Sequence, residues 1–320
     1  MNGGGENLKT RISIAITKIS IKLKIKKINM KILITGISGL LGSELAKVLK
    51  DKHEICGIAR NFNSPEFKTY NIDITDSKLT YDTISKINPD AVIHAATYSN
   101  VDECEKNPEL AFKINSLGTR NVCLACQRFD TVLVYISTDY VFSGKDFPKE
   151  GYTELDIPNP VNIYAKSKLA GEWFVKNLLN KFFIIRTSWL FGSKRNNFVS
   201  AIFDDLKNNK NVKQAGDMRS SPTNVFDLSL AISKLLETNL YGIYHLTNSG
   251  FASRYEVAVY IAKILGCSKN KIEKVSLKSF NFAAPRPYFS GLKNYIWKLN
   301  DFKPLKPWQE SVADFLSAKI

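Results

Sequence analysis

Short apolar runs alternate with amphipathic segments along most of this chain. The runs are rich in β-branched residues and stay apolar at successive positions, which is typical of strands buried on both faces. Predicted strands cover 31–35, 54–58, 91–95, 131–137 and 182–188. Predicted helices, whose apolar residues recur at helical spacing, cover 43–50, 108–126 and 164–176. This alternation predicts an α/β fold with a Rossmann-type, doubly wound parallel sheet.

The last third of the chain is less regular. Helices are predicted over 227–237 and 253–265 and a strand over 242–246, and prolines interrupt the later part. We expect residues 30–190 to form the Rossmann domain and residues 191–320 to form mainly a smaller mixed lobe, with the chain able to cross between the two. Because ligands of open α/β sheets bind at the carboxyl ends of the strands, such a lobe would shape a substrate pocket there.

Residues 1–29 differ from the rest in composition. They hold seven Lys or Arg against one Glu, so +6 of the formal net charge of +15 lies in this segment and +9 in the remainder. Apolar residues alternate with polar residues, mostly lysine, over 19–26, and this period of two is typical of a strand with one wetted face. We interpret the segment as a disordered or non-native extension. A role at a membrane surface or as an edge strand is the alternative.

Composition and charge narrow the class of protein. Apolar residues make up 44% and charged residues 23%, as in ordinary globular proteins, and no run is long and apolar enough to span a membrane. Five cysteines, an odd number placed in apparent core segments, indicate a reducing compartment, so we expect a cytoplasmic protein. The positive body suits anionic ligands, whereas the sequence carries no zinc finger or RNA-recognition signature, so we expect no nucleic-acid partner.

A glycine motif follows the first predicted strand and precedes the first predicted helix. The stretch Thr35-Gly-Ile-Ser-Gly-Leu-Leu-Gly42 places Gly36, Gly39 and Gly42 three residues apart. In this context the first glycine permits a tight turn, the second lets the backbone approach a pyrophosphate, and the third lets helix and strand pack closely. The N-terminus of the helix offers free N–H groups and the positive end of its dipole to the phosphates. The motif predicts a site for NAD or NADP.

Residues after the second and third strands bear on which dinucleotide is bound. An acidic residue after the second strand would hold the ribose hydroxyls of NAD, but Arg60 stands there, and its charge suits the 2′-phosphate of NADP. Asp73, after a third short strand, is a candidate partner of the adenine amino group, with turn capping as the alternative. We therefore expect NADPH, with NADH as the alternative. The predicted cofactor-binding residues are Gly36, Ser38, Gly39, Leu40, Leu41, Gly42, Arg60, Asp73, Ile74, Ala95, Ala96, Thr97, Tyr164 and Lys168.

A Tyr-x-x-x-Lys pair lies on the predicted helix that starts at residue 164. Tyr164 and Lys168 are four residues apart and so share one helix face. A nearby ammonium favours the phenolate, which would lower the pKa of Tyr164 from its ordinary value of about 10. Thr138 ends the preceding strand and would lie beside the same pocket. We expect Tyr164 to give a proton to a carbonyl oxygen as hydride arrives, Thr138 to orient that oxygen, and Lys168 to tune Tyr164 and hold the cofactor.

Five further stretches are more specific than these general motifs. They are Ile136-Ser-Thr-Asp-Tyr-Val-Phe-Ser-Gly144, Asn162-Ile-Tyr-Ala-Lys-Ser-Lys-Leu-Ala-Gly-Glu172, Arg186-Thr-Ser-Trp-Leu-Phe-Gly192, Ser221-Pro-Thr223 and Gly242-Ile-Tyr-His-Leu-Thr247. At the glycine motif and the Tyr-x-x-x-Lys pair, the chain resembles the extended short-chain dehydrogenase/reductases. The five stretches are similar to the dTDP-4-dehydrorhamnose reductase family within that group. The likeness runs from about Met30 to Phe315.

This resemblance implies a reaction and a substrate. It implies that the C4 ketone of dTDP-4-dehydro-L-rhamnose is reduced to dTDP-L-rhamnose with NADPH or NADH, for the synthesis of cell-surface polysaccharide. By the same resemblance, Trp189 would lie against the sugar and Arg286 would meet the nucleotide diphosphate. The catalytic residues would be Thr138, Tyr164 and Lys168. The substrate-binding residues would be Tyr98, Val101, Asp102, Thr138, Asp139, Trp189 and Arg286.

Some features of the family pattern are missing or undecided in this chain. Asp217-Met218 stands where the family usually has Asp-Gln, and Phe191 stands where Tyr is commoner. Both lie on the substrate side, so they bear on the exact sugar more than on the reaction. Some family members bind magnesium at a dimer interface through glutamates. Those ligands cannot be placed here, so we predict no metal site, leave a magnesium requirement undecided and keep a homodimer as one option.

Two other functions stay open at this stage. One is a reductase or epimerase that acts on another nucleotide-linked deoxysugar. The other is a non-catalytic relative, similar to the regulatory subunit of methionine adenosyltransferase, which shares the fold and much of the Tyr-x-x-x-Lys region. The presence of Thr138, Tyr164 and Lys168 together argues against the non-catalytic relative. Cofactor binding without turnover would favour it.

Overall fold

The structure, a computed structural model, describes residues 29–145, 148–194 and 196–319. The basic segment predicted over 1–29 lies outside these residues except for Asn29. The strands are β1 (Lys31–Thr35), β2 (Glu54–Ala59), β3 (Lys68–Asn71), β4 (Ala91–His94), β5 (Val132–Thr138), β6 (Phe182–Thr187), β7 (Leu190–Phe191), β8 (Val212–Ala215), β9 (Arg219–Ser220), β10 (Thr223–Asn224), β11 (Gly242–His245), β12 (Ala252–Ser253) and β13 (Ile272–Val275). The helices are α1 (Leu40–Leu49), α2 (Ser77–Ile87), α3 (Val101–Lys106), α4 (Pro108–Phe112), α5 (Thr119–Arg128), α6 (Ile163–Leu178), α7 (Phe198–Lys207), α8 (Val225–Leu236), α9 (Arg254–Leu265), α10 (Tyr295–Leu299) and α11 (Trp308–Ser317).

In this part of the chain, seven strands form one parallel sheet in the order β11-β6-β5-β4-β1-β2-β3. The chain builds outward from β1 in both directions, as in a doubly wound sheet. Central strands are apolar because helices cover both of their faces, and β5 is buried at every position. Each predicted strand is present, with ends that differ by one or two residues. The predicted fold class is confirmed.

Helices cover the two faces of the sheet and bury a core on each. On one face, α1 and α8 pack against each other and place Leu45 and Leu235 over the central strands. On the other face, α2, α5 and α6 contribute Ile84, Val122 and Val175. The sheet is therefore rigidly held, and the loops at its carboxyl end are fixed in position.

One strand from the last third of the sequence belongs to this sheet. β11 pairs with β6, from Gly242 opposite Phe183 to His245 opposite Arg186. Its Tyr244 joins the core on the α1 side, while the neighbouring Ile243 packs against the opposite core. The chain therefore returns to the sheet after first leaving it near residue 190.

The cores on the two faces of the sheet together form the sheet core. A separate core, the second core, lies beyond the carboxyl end of the sheet. It combines α7, α9 and α11 with the parallel pair β8–β13, and it buries Phe203 and Ile261. A capping box fixes the start of α9, because Ser253 Oγ accepts from Glu256 N and the Glu256 carboxylate accepts from Ser253 N. The first residue of α9, Arg254, consequently reaches the cleft between the two cores.

The helix predicted over 108–126 is interrupted. It consists of α4, a π-helical segment over Lys113–Gly118, and α5. The π segment carries Asn115, whose Nδ2 donates to Tyr98 O at 3.0 Å and whose Oδ1 accepts from Tyr98 N at 2.8 Å. π segments are common at functional sites. Apolar periodicity does not distinguish a π turn from an α turn, so the sequence pattern could not predict it.

All five cysteines fall within the described residues and are free thiols. Cys123 and Cys126 are buried on α5, and desolvation raises the pKa of both thiols. Their role is therefore packing. Across the described residues, no helix combines the length and the apolar character needed to cross a membrane.

A buried ion pair ties α6 to two strands of the sheet. Arg186 Nε donates to Glu172 Oε1 at 3.0 Å and Nη2 donates to Oε2 at 2.7 Å, and the side chains are 2% and 0% exposed. Ser137 Oγ donates to the same Glu172 Oε1 at 2.6 Å. Two charges removed from water need close geometry and further hydrogen bonds, and this arrangement supplies both. The pair fixes α6 over β5 and β6.

We predict that Glu172→Gln destabilises the protein by about 3–5 kcal/mol, because it leaves the Arg186 charge buried without its partner. Urea unfolding followed by circular dichroism measures this difference. Asp82→Asn, which breaks the exposed ion pair with Lys78, is the control and should leave the free energy of unfolding unchanged within error. A small effect of Glu172→Gln, equal to that of the control, would contradict the prediction.

Candidate active site

The glycine turn between β1 and α1 allows three backbone segments to meet. Gly36 has a φ of +71°, its N–H donates to Ile58 O at 2.8 Å, and a Cβ there would lie 2.7 Å from Ala96 N. A Cβ at Gly42 would lie 2.2 Å from Gly36 O. Any side chain at these two positions would displace backbone. The turn, the loop after β4 and the start of α1 are thus in direct contact.

The N-terminus of α1 fits an anion. Its N-cap is Gly39, which supplies no side-chain cap, and the first turn carries no acidic residue. Its N–H groups and the positive end of the helix dipole therefore remain available to a phosphate. The backbone cradle and the uncapped helix together fit the pyrophosphate of a dinucleotide.

Residues at the ends of β2 and β3 border the same site. Arg60 is exposed at the end of β2 and lines the cleft. Asp73 is half-buried, and its Oδ1 accepts from Thr75 N at 2.9 Å, so it caps its own turn while facing the cleft. The two roles predicted for Asp73, partner of the adenine amino group and cap of its own turn, are both compatible with this geometry.

A cleft of about 720 Å³ runs between the carboxyl end of the sheet and the second core. All fourteen predicted cofactor-binding residues line it, and so do five of the seven predicted substrate-binding residues. The five are Tyr98, Val101, Thr138, Asp139 and Trp189. The structure therefore brings the glycine turn and the Tyr-x-x-x-Lys pair to one cavity.

The helix that carries Tyr164 and Lys168 lies unusually close to β5. A Cβ at Gly171 would lie 2.2 Å from the Tyr135 hydroxyl and 2.8 Å from Asn115 O. The Tyr135 hydroxyl donates to Lys168 O at 3.1 Å. The missing side chain at Gly171 thus permits the contact that sets the height of α6 over the sheet.

Tyr164 and Thr138 both line the floor of the cleft. Burial raises the pKa of Tyr164, and the hydrogen bond with Thr138 is the largest effect in the opposite direction. The net shift is therefore upward, opposite to the lowering expected from the sequence, and a lowering effect of Lys168 stays a prediction. Tyr164 is therefore a neutral phenol throughout the neutral range, which is the form that donates a proton.

Lys168 is a buried cation beneath Tyr164. Its side chain is 2% exposed, and Nζ lies 4.1 Å from the centroid of the Tyr135 ring. Burial lowers the pKa of Lys168 to about 7, with the Glu172 carboxylate acting in the opposite direction. Lys168 therefore changes charge within the physiological range.

Asp139 connects the Thr138 hydroxyl to the C-terminal part of the chain. Thr138 Oγ1 donates to Asp139 Oδ1 at 3.2 Å, and the hydroxyls of Ser220 and Ser290 donate to Oδ2 at 2.8 and 2.5 Å. Burial raises the pKa of Asp139 to about 6, against the effect of these hydrogen bonds. Asp139 thus holds the Thr138 side chain and the second lobe in a fixed relation.

Trp189 lies on the opposite wall with a strained backbone. Its φ of +42° falls in the left-handed region, which bulky residues rarely adopt, and its side chain is 8% exposed. The Arg254 guanidinium carbon lies 3.9 Å from the centroid of the Trp189 ring and 3.7 Å from that of Phe198. A sugar in contact with Trp189 would therefore also meet Arg254.

Two predicted substrate-binding residues do not line the cleft and pair with each other instead. Arg286 Nη1 and Nη2 donate to the two carboxylate oxygens of Asp102 at 3.1 and 2.8 Å. The same carboxylate accepts from Ala284 N at 2.9 Å, and Arg286 Nη1 also donates to Ala284 O at 2.7 Å. The role of these two residues toward substrate stays a prediction.

Comparison with known proteins agrees with this arrangement. Residues 30–319 match the family described as the RmlD substrate binding domain. The chain is 34% identical over 237 residues to dTDP-4-dehydrorhamnose reductase from Aggregatibacter actinomycetemcomitans, across 72% of this chain and 78% of that protein. The chain belongs to the dTDP-4-dehydrorhamnose reductase family. The resemblance stated from the sequence is confirmed.

Two further relatives of the family match nearly full-length. A dTDP-4-dehydrorhamnose reductase from Bacillus anthracis, solved in complex with NADP, is 38% identical with a TM-score of 0.83, and the match covers 91% of this chain and 99% of that one. The spore coat polysaccharide biosynthesis protein SpsK of Bacillus subtilis is 32% identical over 290 residues, or 90% of this chain and 98% of that protein.

Sequence reasoning missed one residue that lines the reductase-family cleft and one that holds the helix beside it. Arg254 lines the cleft. Its only signal in the sequence is a single arginine after a capping serine, and such a pair has no spacing that marks a site. Asn115 donates to Ser167 Oγ at 3.0 Å, and Ser167 in turn donates to Tyr164 O at 2.7 Å. Asn115 therefore joins the loop after β4 to the catalytic helix, a contact between distant parts of the chain.

The described residues contain no group of three or more His, Cys, Asp or Glu side chains that could hold a metal ion. His94, at the end of β4, is fully buried between the hydroxyls of Thr35 and Thr119, at 2.6 and 3.0 Å. Burial lowers the pKa of His94 to about 3. It is a neutral core residue that braces the strand ends.

We predict that kcat/KM falls above about pH 7, because Lys168 loses its charge there while Tyr164 stays protonated. The sign follows from the lowered pKa of Lys168, which is charged below that pH and neutral above it. The measurement is a profile of kcat/KM from about pH 5.5 to 9. Lys168→Met should be slower at every pH and should lose this alkaline inflection. The assignment to Lys168 would be refuted by a variant that keeps the inflection.

Proposed function

We propose that the chain catalyses the NADPH-dependent reduction of the C4 ketone of dTDP-4-dehydro-L-rhamnose to dTDP-L-rhamnose. The observation that carries this proposal is the Tyr164–Thr138 pair at the floor of a cleft that begins at an uncapped, glycine-lined helix N-terminus. A proton donor and a dinucleotide cradle are thus within one cavity. The family relationship supports the same reaction.

Each catalytic side chain has a distinct part in the proposed reaction. When bound, NADPH supplies the hydride that reaches C4 of the sugar. The Tyr164 hydroxyl gives its proton to the ketone oxygen, so a neutral alcohol forms and the phenolate is left on the enzyme. The Thr138 hydroxyl turns from Asp139 Oδ1 to donate a hydrogen bond to the same oxygen, and so orients it. The Lys168 ammonium stabilises the phenolate until solvent returns the proton, and it also holds the cofactor.

The residues of the cleft fit NADP. The backbone N–H groups at the start of α1 would bind the pyrophosphate, and Gly36 and Gly42 keep that region clear of side chains. Arg60, exposed at the end of β2, would bind the 2′-phosphate. The structure of a family member with NADP supports this choice over NADH.

The proposal extends to the setting in which the enzyme works. A nucleotide-linked deoxysugar is the partner that the family relationship supports. Five free thiols fit a reducing compartment, and we place the enzyme in the cytoplasm on that ground. A homodimer and the lack of a nucleic-acid partner stay predictions.

A reductase or epimerase of another deoxysugar and a non-catalytic relative are the alternatives, and both are decided by turnover with a panel of nucleotide 4-keto sugars.

We predict that Tyr164→Phe lowers kcat by at least about 10²-fold, the usual scale for the loss of a general acid. NADPH oxidation, followed at about 340 nm with dTDP-4-dehydro-L-rhamnose, measures the rate. NADPH affinity, measured by fluorescence titration, should change little and serves as the control for folding. An unchanged kcat would mean that another group supplies the proton.

We predict that Arg60→Ala weakens NADPH binding by about 10-fold or more and leaves NADH binding nearly unchanged, because it removes a charged partner of the 2′-phosphate. The dissociation constants of both cofactors measure the contrast in the same variant. Lys68→Ala removes an exposed cation at the start of β3 that does not line the cleft, and it is the control for loss of a positive charge. Equal losses for NADPH and NADH in Arg60→Ala would argue against recognition of the phosphate.

A further inference from the structure

Arg254 is a cation on the substrate side of the cleft, held between two aromatic rings. Its guanidinium lies 3.9 and 3.7 Å from the ring centroids of Trp189 and Phe198. Burial lowers the pKa of Arg254 to about 10, so it stays charged at neutral pH. The two rings restrict its rotation, and its charge is therefore presented to the cleft at a fixed place.

The hydrogen-bonding capacity of this cation is not used up by the protein. Arg254 Nη1 is shielded from solvent and has no hydrogen-bond partner among the described residues. The neighbouring acid on α9, Glu256, is occupied by Ser253 N and by Arg219 Nη1, at 2.6 and 3.0 Å. Asp139 acts on Arg254 through its charge, but its hydrogen bonds go to hydroxyl groups.

Two other buried donors that line the cleft are also unsatisfied within the described residues. They are Trp189 Nε1 and Thr187 Oγ1, and both residues line the cleft with Arg254. Buried polar groups in folded proteins are nearly always hydrogen-bonded, so each exception needs an explanation. Three donors without acceptors in one cleft are explained by a ligand that is rich in oxygen atoms.

Two features of the structure around Arg254 are energetically unfavourable, and a purely structural role would require neither of them. A cation at the first position of α9 lies at the positive end of the helix dipole. Trp189, which stacks on it, has a backbone in the left-handed region. Such departures from local preference are expected where a residue serves a ligand.

We infer that Arg254 binds the diphosphate group of the nucleotide-sugar substrate, with Trp189 Nε1 and Thr187 Oγ1 as accompanying donors. This inference rests on the proposed function. The hexose of such a substrate is neutral, so the diphosphate is the part that a buried guanidinium recognises through charge and planar donors. Arg286 differs in that Asp102 already engages two of its nitrogens.

The test uses the full-length enzyme with NADPH bound and measures competitive inhibition by dTDP and by thymidine. Arg254→Met should weaken dTDP by about 10- to 100-fold, the scale for a lost hydrogen bond to a charged group, and should leave thymidine within about twofold. The KM for the nucleotide sugar should rise by a similar factor, with a smaller change in kcat. Arg254→Lys, which keeps the charge, should recover part of the dTDP affinity.

Arg219→Met is the matched control, because it removes a nearby arginine that pairs with Glu256 and does not line the cleft. It should leave the affinities for dTDP and thymidine unchanged. Unchanged dTDP affinity in Arg254→Met would overturn the inference, and so would an equal loss of dTDP and thymidine, which indicates altered packing. A selective loss of dTDP in an enzyme that reduces none of the nucleotide 4-keto sugars would support the anion site and reject the reductase activity.

Discussion

The contact between β5 and α6 is the constraint on which the active site depends. Gly171 lets the helix lie against the Tyr135 ring, and that ring in turn lies under the Lys168 ammonium. Glu172, the residue after Gly171, pairs with Arg186 and fixes the same helix to β6. Because these contacts are buried and close-packed, small shifts of the helix are costly. The position of Tyr164 on the same helix is therefore fixed by these contacts.

A buried carboxylate beside the cleft joins the sheet to the C-terminal part of the chain. Asp139 joins them, since it accepts from Thr138 on the sheet side and from Ser220 and Ser290 on the other. The return of the chain to the sheet through β11 adds a covalent link between the same two parts. The two walls of the cleft are consequently held in a fixed relation by the fold itself.

The features that the sequence predicted well are those decided by local physics. The turn at Gly36 and the shared helix face of Tyr164 and Lys168 follow from spacing and conformational freedom, and the strands follow from their apolar runs. The features it missed depend on contacts between distant segments. The unpartnered state of Arg254 and the pairing of Arg286 with Asp102 are examples. The raised pKa of Tyr164 is another, because it results from burial that no sequence pattern specifies.

The low pKa of Lys168 couples ligand binding to protons in solution. A ligand that stabilises the ammonium form raises the pKa of Lys168 above about 7, so at higher pH the complex must take up a proton from the buffer. The affinity for such a ligand then declines as the solution becomes more alkaline. The heat of binding would depend on the ionisation enthalpy of the buffer, since each binding event removes a fraction of a proton from it.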